Sequence, residues 1–176
     1  MAAEHELGAV LGRYETDNER RRRIAFVAVP VGAAVGCLGV LMMLILDADA
    51  GGAMIFPALV GGAGFGAFVV GLCQAWLTAT RTDEVFTLYE GGLVHSYGGK
   101  SWPISWAEIA DIKDNGKDSA LHRALGIDVQ YRVVLRSPVG GRRSVTISGF
   151  TDDAVRLAET VRQAAVHGIR PGRYGR

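Results

Sequence analysis

The chain has 176 residues, 49% hydrophobic and 21% charged, with 24 glycines and a formal net charge of +1. A charge this close to balance argues against an electrostatic hold on nucleic acid, and two cysteines are too few for a disulfide scaffold. No P-loop, dinucleotide glycine pattern, zinc spacing or nucleophile elbow occurs, so the expectation is a chain that is no enzyme and takes no cofactor and no metal.

Residues 1–23 form a polar leader that ends in Arg20, Arg21, Arg22 and Arg23. Within it Leu7, Val10, Leu11 and Tyr14 follow the i, i+3, i+4, i+7 rule, which predicts a short amphipathic helix. Gly8 and Gly12 weaken that helix. It either lies on the inner membrane surface or packs against the domain downstream.

Two apolar blocks follow, within residues 24–80. Ile24 to Leu46 is 23 residues without a charge, and Ala53 to Leu77 is 25 residues in which only Gln74 is strongly polar. Each exceeds the roughly 20 residues a helix needs to cross about 30 Å of hydrocarbon. Ala48 and Ala50 resemble a signal-cleavage pattern, yet signal cores run about 7–15 residues and start close to the N-terminus. The expectation is therefore a transmembrane helical hairpin, with spans at about 24–46 and 53–77. Arg20–Arg23 before the first span and Arg81 after the second, against a loop (Asp47 to Gly52) with two aspartates and no basic residue, put both termini in the cytoplasm of a multi-pass plasma-membrane protein. The same arginines are candidates for anionic lipid headgroups.

Ala28, Gly32 and Gly36 recur every four residues on the first span, and Ala58, Gly62 and Gly66 on the second. Small residues at this spacing allow close helix approach, and the short connection predicts that both stripes face inward, with a homodimer seam as the alternative. Neither span carries an ionisable side chain of the kind that marks transport pathways. Cys37 and Cys73 lie at different depths, which argues against a disulfide between them.

After Arg81 the period changes to that of strands. Phe86 and Leu88 alternate with Thr87 and Tyr89, and the pairs Gly91-Gly92 and Gly98-Gly99 read as hairpin turns. A third strand is expected from Lys100 to Lys113, with Pro103 marking an edge or bulge. A short helix is expected from Asp118 to Leu125. A further strand follows over Asp128–Ser137, with Val129, Tyr131, Val133 and Leu135 on one face, and another over Arg143–Ser148. Thr151, with Asp152 and Asp153 in the first turn, is expected to cap a helix from Asp152 to His167 that turns Leu157, Ala158, Val161 and Ala165 inward. Residues 169–176 form a basic tail, with Arg170, Arg173 and Arg176. His5, His95, His122 and His167 are scattered and read as polar surface groups.

The fold class is thus a membrane helical hairpin plus an α+β domain, residues 81–168, whose antiparallel sheet or partly open barrel is capped by a C-terminal helix. That layout resembles a pleckstrin-homology-like (PH-like) domain. The stretch "LYEGGLVHSYGGKSWPISWAEIADI", with Leu11-Gly12 (or Leu7-Gly8) and Tyr14 upstream and Trp106, Glu108 and Ile109 in a W-x-E-I pattern, is similar to small bacterial two-pass membrane proteins of a family of unknown function. The resemblance covers most of the chain and its motifs are structural. PH-like domains commonly hold inositol lipids through basic residues of the first hairpin. Here Val85 to Gly99 has no Lys or Arg and only His95, which counts against that ligand.

The expected function is a membrane-anchored, non-enzymatic interaction module that presents a cytoplasmic PH-like domain to a protein or peptide. The alternative is an accessory subunit of a membrane transport or envelope complex, touching partners through its spans. Membrane lipids are the other expected partner.

Overall fold

A computed structural model describes residues 7–46, 54–117, 119, 122, 128–169 and 171. The chain divides into two units, Met1–Asn18 with Arg81–Arg176, and Glu19–Thr80. The expected helix at 118–125 falls almost wholly outside the described residues, as do the loop at 47–53 and Arg170, Arg173 and Arg176 of the tail.

The short helix expected around Leu7–Tyr14 does not form. Val10–Glu15 is strand β1, paired antiparallel with β2 (Val85–Tyr89), so the leader completes the downstream domain. The register slips between Val10 and Gly12, which inserts one extra residue as a bulge. Leu11, the inserted residue, and Tyr14 both pack on the core although they are three residues apart. A bulged strand therefore imitates the spacing of a helix.

Strands β3 (Gly92–Tyr97) and β4 (Lys100–Ser105) continue this sheet in the order β1-β2-β3-β4. Gly98 and Gly99 turn between them with φ of 54° and 72°, a left-handed pair that glycine adopts at least cost. Pro103 stands on β4, the edge strand, as its missing N–H requires.

The single strand expected from Lys100 to Lys113 is instead two strands in two sheets. A 3-10 turn, Trp106–Glu108, breaks it, and β5 (Ile109–Asp114) begins a second sheet of order β5-β6-β7, with β6 over Gln130–Val139 and β7 over Arg142–Ser148. The residues of the W-x-E-I pattern build this corner. Trp106 Nε1 donates to the Glu90 carbonyl at 2.8 Å, Glu108 accepts from the Ser105 N–H at 2.7 Å, and Ile109 is buried in the core.

One further helix, Ala154–Ala165, closes the core; its N-cap is Asp153, in the left-handed region and without a side-chain cap bond. Thr151 does not cap it. That residue bridges to Thr16, their hydroxyls 3.4 Å apart, and so ties the end of β1 to the second sheet's exit. Ala154, Leu157, Ala158, Val161 and Ala164 form its buried face. Leu157 and Val161 join Val133 and Leu135 of β6 in one cluster, as the alternation of both segments predicts.

The second unit is a pair of helices, Asn18–Ile45 (α1) and Ile55–Thr80 (α2), inserted in the chain between β1 and β2; the closing helix of the sheet unit is α3. Glu15 and Val85 face each other across the β1–β2 pair, so the insertion leaves and re-enters the sheet at neighbouring points. Replacing residues 19–80 by a short Gly-rich linker should therefore leave a water-soluble monomer with one cooperative melting transition. A product without such a transition would show that the sheet unit cannot stand without the helices.

Candidate functional site

The residues expected at a lipid surface do not behave as a set. Arg20, Arg22 and Arg23 are exposed, and Arg23 pairs with Glu19 one turn earlier. Arg21 is buried, at 4% exposure. Arg81 belongs to the sheet unit, where its guanidinium lies 3.3 Å from Glu84.

The two expected small-residue stripes lie in different surroundings. On α1, Gly32 meets α2 so closely that a Cβ there would lie 2.4 Å from the Phe68 nitrogen, and Ala28 and Gly36 line the same contact. On α2 the expected stripe of Ala58, Gly62 and Gly66 faces outward: all three are exposed, and a Cβ on Gly62 or Gly66 would meet nothing. The buried residues include instead Pro57, Gly64 and Gly71 on α2, seven residues apart, and Ala25, Gly32 and Gly39 on α1, also seven apart. A seven-residue seam keeps one face toward its neighbour over many turns, whereas a four-residue stripe drifts around the helix. Cys37 and Cys73 are free and exposed.

The most unusual chemistry lies in the sheet unit, at His95, which is buried rather than on the surface. Its Nε2 donates to Glu84 Oε1 at 3.0 Å, with side chains only 4% and 1% exposed. Glu84 Oε1 also accepts from the Arg81 guanidinium at 3.3 Å. The imidazole lies flat on Phe86, its cross-strand partner, with centroids 4.5 Å apart and 5° between the planes. Its Nδ1 is buried without a hydrogen-bond partner.

From His95 the aromatic contact continues outward. Tyr97 and Trp102 follow, with centroids 4.6 Å apart, and the Arg142 guanidinium lies over both, 4.1 Å from the Trp102 ring centroid and 4.8 Å from that of Tyr97. Arg142 also donates to the Tyr97 hydroxyl. Gly140, with φ of 56°, lets the β6–β7 turn approach the Trp102 indole where any side chain would collide. Burial, and then the neighbouring Arg81, lower the Arg142 guanidinium from its usual range, while Glu84 acts the other way. It remains a cation at neutral pH.

Arg81, His95, Tyr97, Arg142, Ser144 and Thr146 line a cavity of about 240 Å³ at this place. It joins the segment before β2, the end of β3 and the start of β7. The alternation of β3 could have placed His95 on the face shared by Leu93 and Tyr97, but nothing local joins that strand to Arg142. No protein-family model matches the chain, and neither a curated protein nor a solved structure matches it.

Proposed function

We propose that this protein is a membrane-anchored, non-enzymatic interaction module whose two long helices cross a membrane as a hairpin and whose sheet unit serves a protein or peptide partner on the cytoplasmic side. The observation that carries the reading is the outer surface of the helical pair. Both helices are long and apolar enough to span a bilayer, yet only 17% of each apolar window is buried within the molecule. Phe26, Leu44 and Trp76 are 81%, 79% and 71% exposed. A soluble protein rarely shows so much contiguous apolar surface, whereas lipid accepts it.

The PH-like reading of the sheet unit is supported by its order of elements: four antiparallel strands, then three, then one closing helix. In that reading the first hairpin is β1–β2, and its loop is the helical pair. Basic residues near that end of the unit come from Arg81 and Arg142, outside the Val85–Gly99 hairpin.

Orientation is tested with a cysteine-free parent and an impermeant maleimide added to intact cells. Ala50→Cys should be labelled and Ser119→Cys should not, because the arginine bias keeps both ends of the chain inside. Labelling at Ser119 alone would invert the topology, and the partner would then be extracytoplasmic.

A second reading, an accessory subunit that touches partners or a second copy through its spans, is favoured by one observation. The Ala58–Gly62–Gly66 stripe lies on the outside of α2 and is not used within the hairpin. A partner retained by the linker-closed sheet unit supports the module; one retained only by the helices supports the subunit.

A further inference from the structure

We infer that the cavity between Arg81 and Arg142 is a binding site for a carboxylate group. Arg142 is half-buried, yet among the described residues it makes no ion pair: its guanidinium is held by two aromatic faces and one phenol oxygen. Only one of its five N–H donors is spent in this way. A protein that merely needed to rivet two sheets could use a neutral side chain, whereas a desolvated cation with unspent donors suits an anion.

The charges around the cavity favour a monoanion. Arg81 and Arg142 contribute two positive charges and Glu84 one negative, so the guanidiniums outnumber the carboxylate by one. A planar carboxylate accepts two parallel hydrogen bonds from a guanidinium fork. The two hydroxyls on β7 add donors. Ser144 already accepts from Arg132 Nε at 3.1 Å, so its own O–H is free to point at a ligand, and Thr146 lines the same wall.

The size of the cavity restricts what enters. At about 240 Å³ it is smaller than the roughly 300–1,000 Å³ of pockets that enclose a whole drug-sized ligand. It fits one terminal group with a short stem, such as an Asp or Glu side chain, a chain terminus or a small free acid. The Glu84–His95 pair beneath it acts as a positioning element: it occupies Arg81 on one side and leaves Arg142 as the cation without an acid partner. The inference concerns the sheet unit alone and holds whether or not the helices cross a membrane.

Trp102, lying against Arg142, supplies a local reporter. The chain has 3 tryptophans, so selective ¹⁵N-tryptophan labelling of the full protein in neutral micelles yields one indole signal each from Trp76, Trp102 and Trp106. Four probes are titrated at fixed ionic strength: doubly blocked glutamate, its glutamine counterpart, a blocked hexapeptide containing glutamate, and inorganic phosphate. The Trp102 signal should move saturably with both carboxylates and not with glutamine, while Trp76 stays in place. Tighter binding of the hexapeptide would assign the carboxylate to a peptide partner, and equal binding would assign it to a small free acid.

Arg142→Ala should weaken the interaction at least about tenfold, as expected when a charge-assisted pair is removed. Arg142→Lys, which keeps the charge but not the fork, should also weaken it and serves as the deciding variant if Arg142→Ala fails to fold. Arg143→Ala removes an equal, exposed charge next door and should leave the midpoint unchanged. Equal shifts with glutamine, an equal loss in Arg143→Ala, or a lower midpoint with phosphate than with glutamate would each overturn the assignment.

Discussion

Val161→Asp should abolish the cooperative thermal transition of the sheet unit. Val161 has no exposed surface and shares one cluster with Leu157, Ile109, Val133 and Ile147, so it joins the closing helix, on which it stands, to the second sheet. Truncating such an aliphatic side chain costs about 2–5 kcal/mol. An unpaired carboxylate in the same place adds several more, whether it stays charged or takes up a proton. The sum reaches the roughly 5–15 kcal/mol that hold an ordinary domain together. Val155, one turn and a half away on the same helix, is 56% exposed, and Val155→Asp should shift stability by no more than about 0.5 kcal/mol. Thermal melts of the linker-closed domain, followed by circular dichroism, compare the two. A Val161→Asp variant that melts beside its parent would mean that α3 does not close the core.

The second large effect is expected in the helical pair. A Cβ on Gly64 would lie 2.2 Å from the Gly36 nitrogen and 2.7 Å from its Cα, atoms of backbone that cannot rotate away. Gly64→Leu must therefore push the helices apart. Overpacking in a rigid contact typically costs about 1–3 kcal/mol, and a clash with backbone belongs at the upper end. Gly62→Leu, two residues away in open space, should cost almost nothing. The native thiols report on the outcome: Cys37 and Cys73 are free, exposed and carried one on each helix, so each takes a spin label without further mutation. In Gly64→Leu the distance between labels should shift by about 2 Å or broaden, since interaxial spacing follows the side chains at the contact. In Gly62→Leu it should match the parent. If both variants behave alike, the seam does not run through Gly64.

The sequence by itself determined the features that arise from local physics. Uncharged runs of 23 and 25 residues announce two long helices, because only a helix satisfies its own backbone over such a length of apolar side chain. The pair Gly98-Gly99 announces its turn through backbone freedom, and the spacing of Leu157, Ala158 and Val161 announces the buried face of α3. Alternation from Val129 to Leu135 announces a strand with one side on the core. Tertiary structure alone decided the rest, and in each case the reason is a partner remote in the chain. Val10–Glu15 is a strand because β2 accepts it across the whole helical insertion, and its bulge disguises the period. Ile109 and Ile112, both buried and three apart, repeat the disguise at the bulge of β5, where one apparent strand also changes sheets at Trp106–Glu108. The four-residue spacing points to Gly62 and Gly66 on α2, whereas the backbone of α1 approaches Gly64 and Gly71. The cluster of Arg81, Glu84, His95 and Arg142 draws on three separate segments. A buried charge is tolerated only where its partners already stand, and only the folded chain places them there.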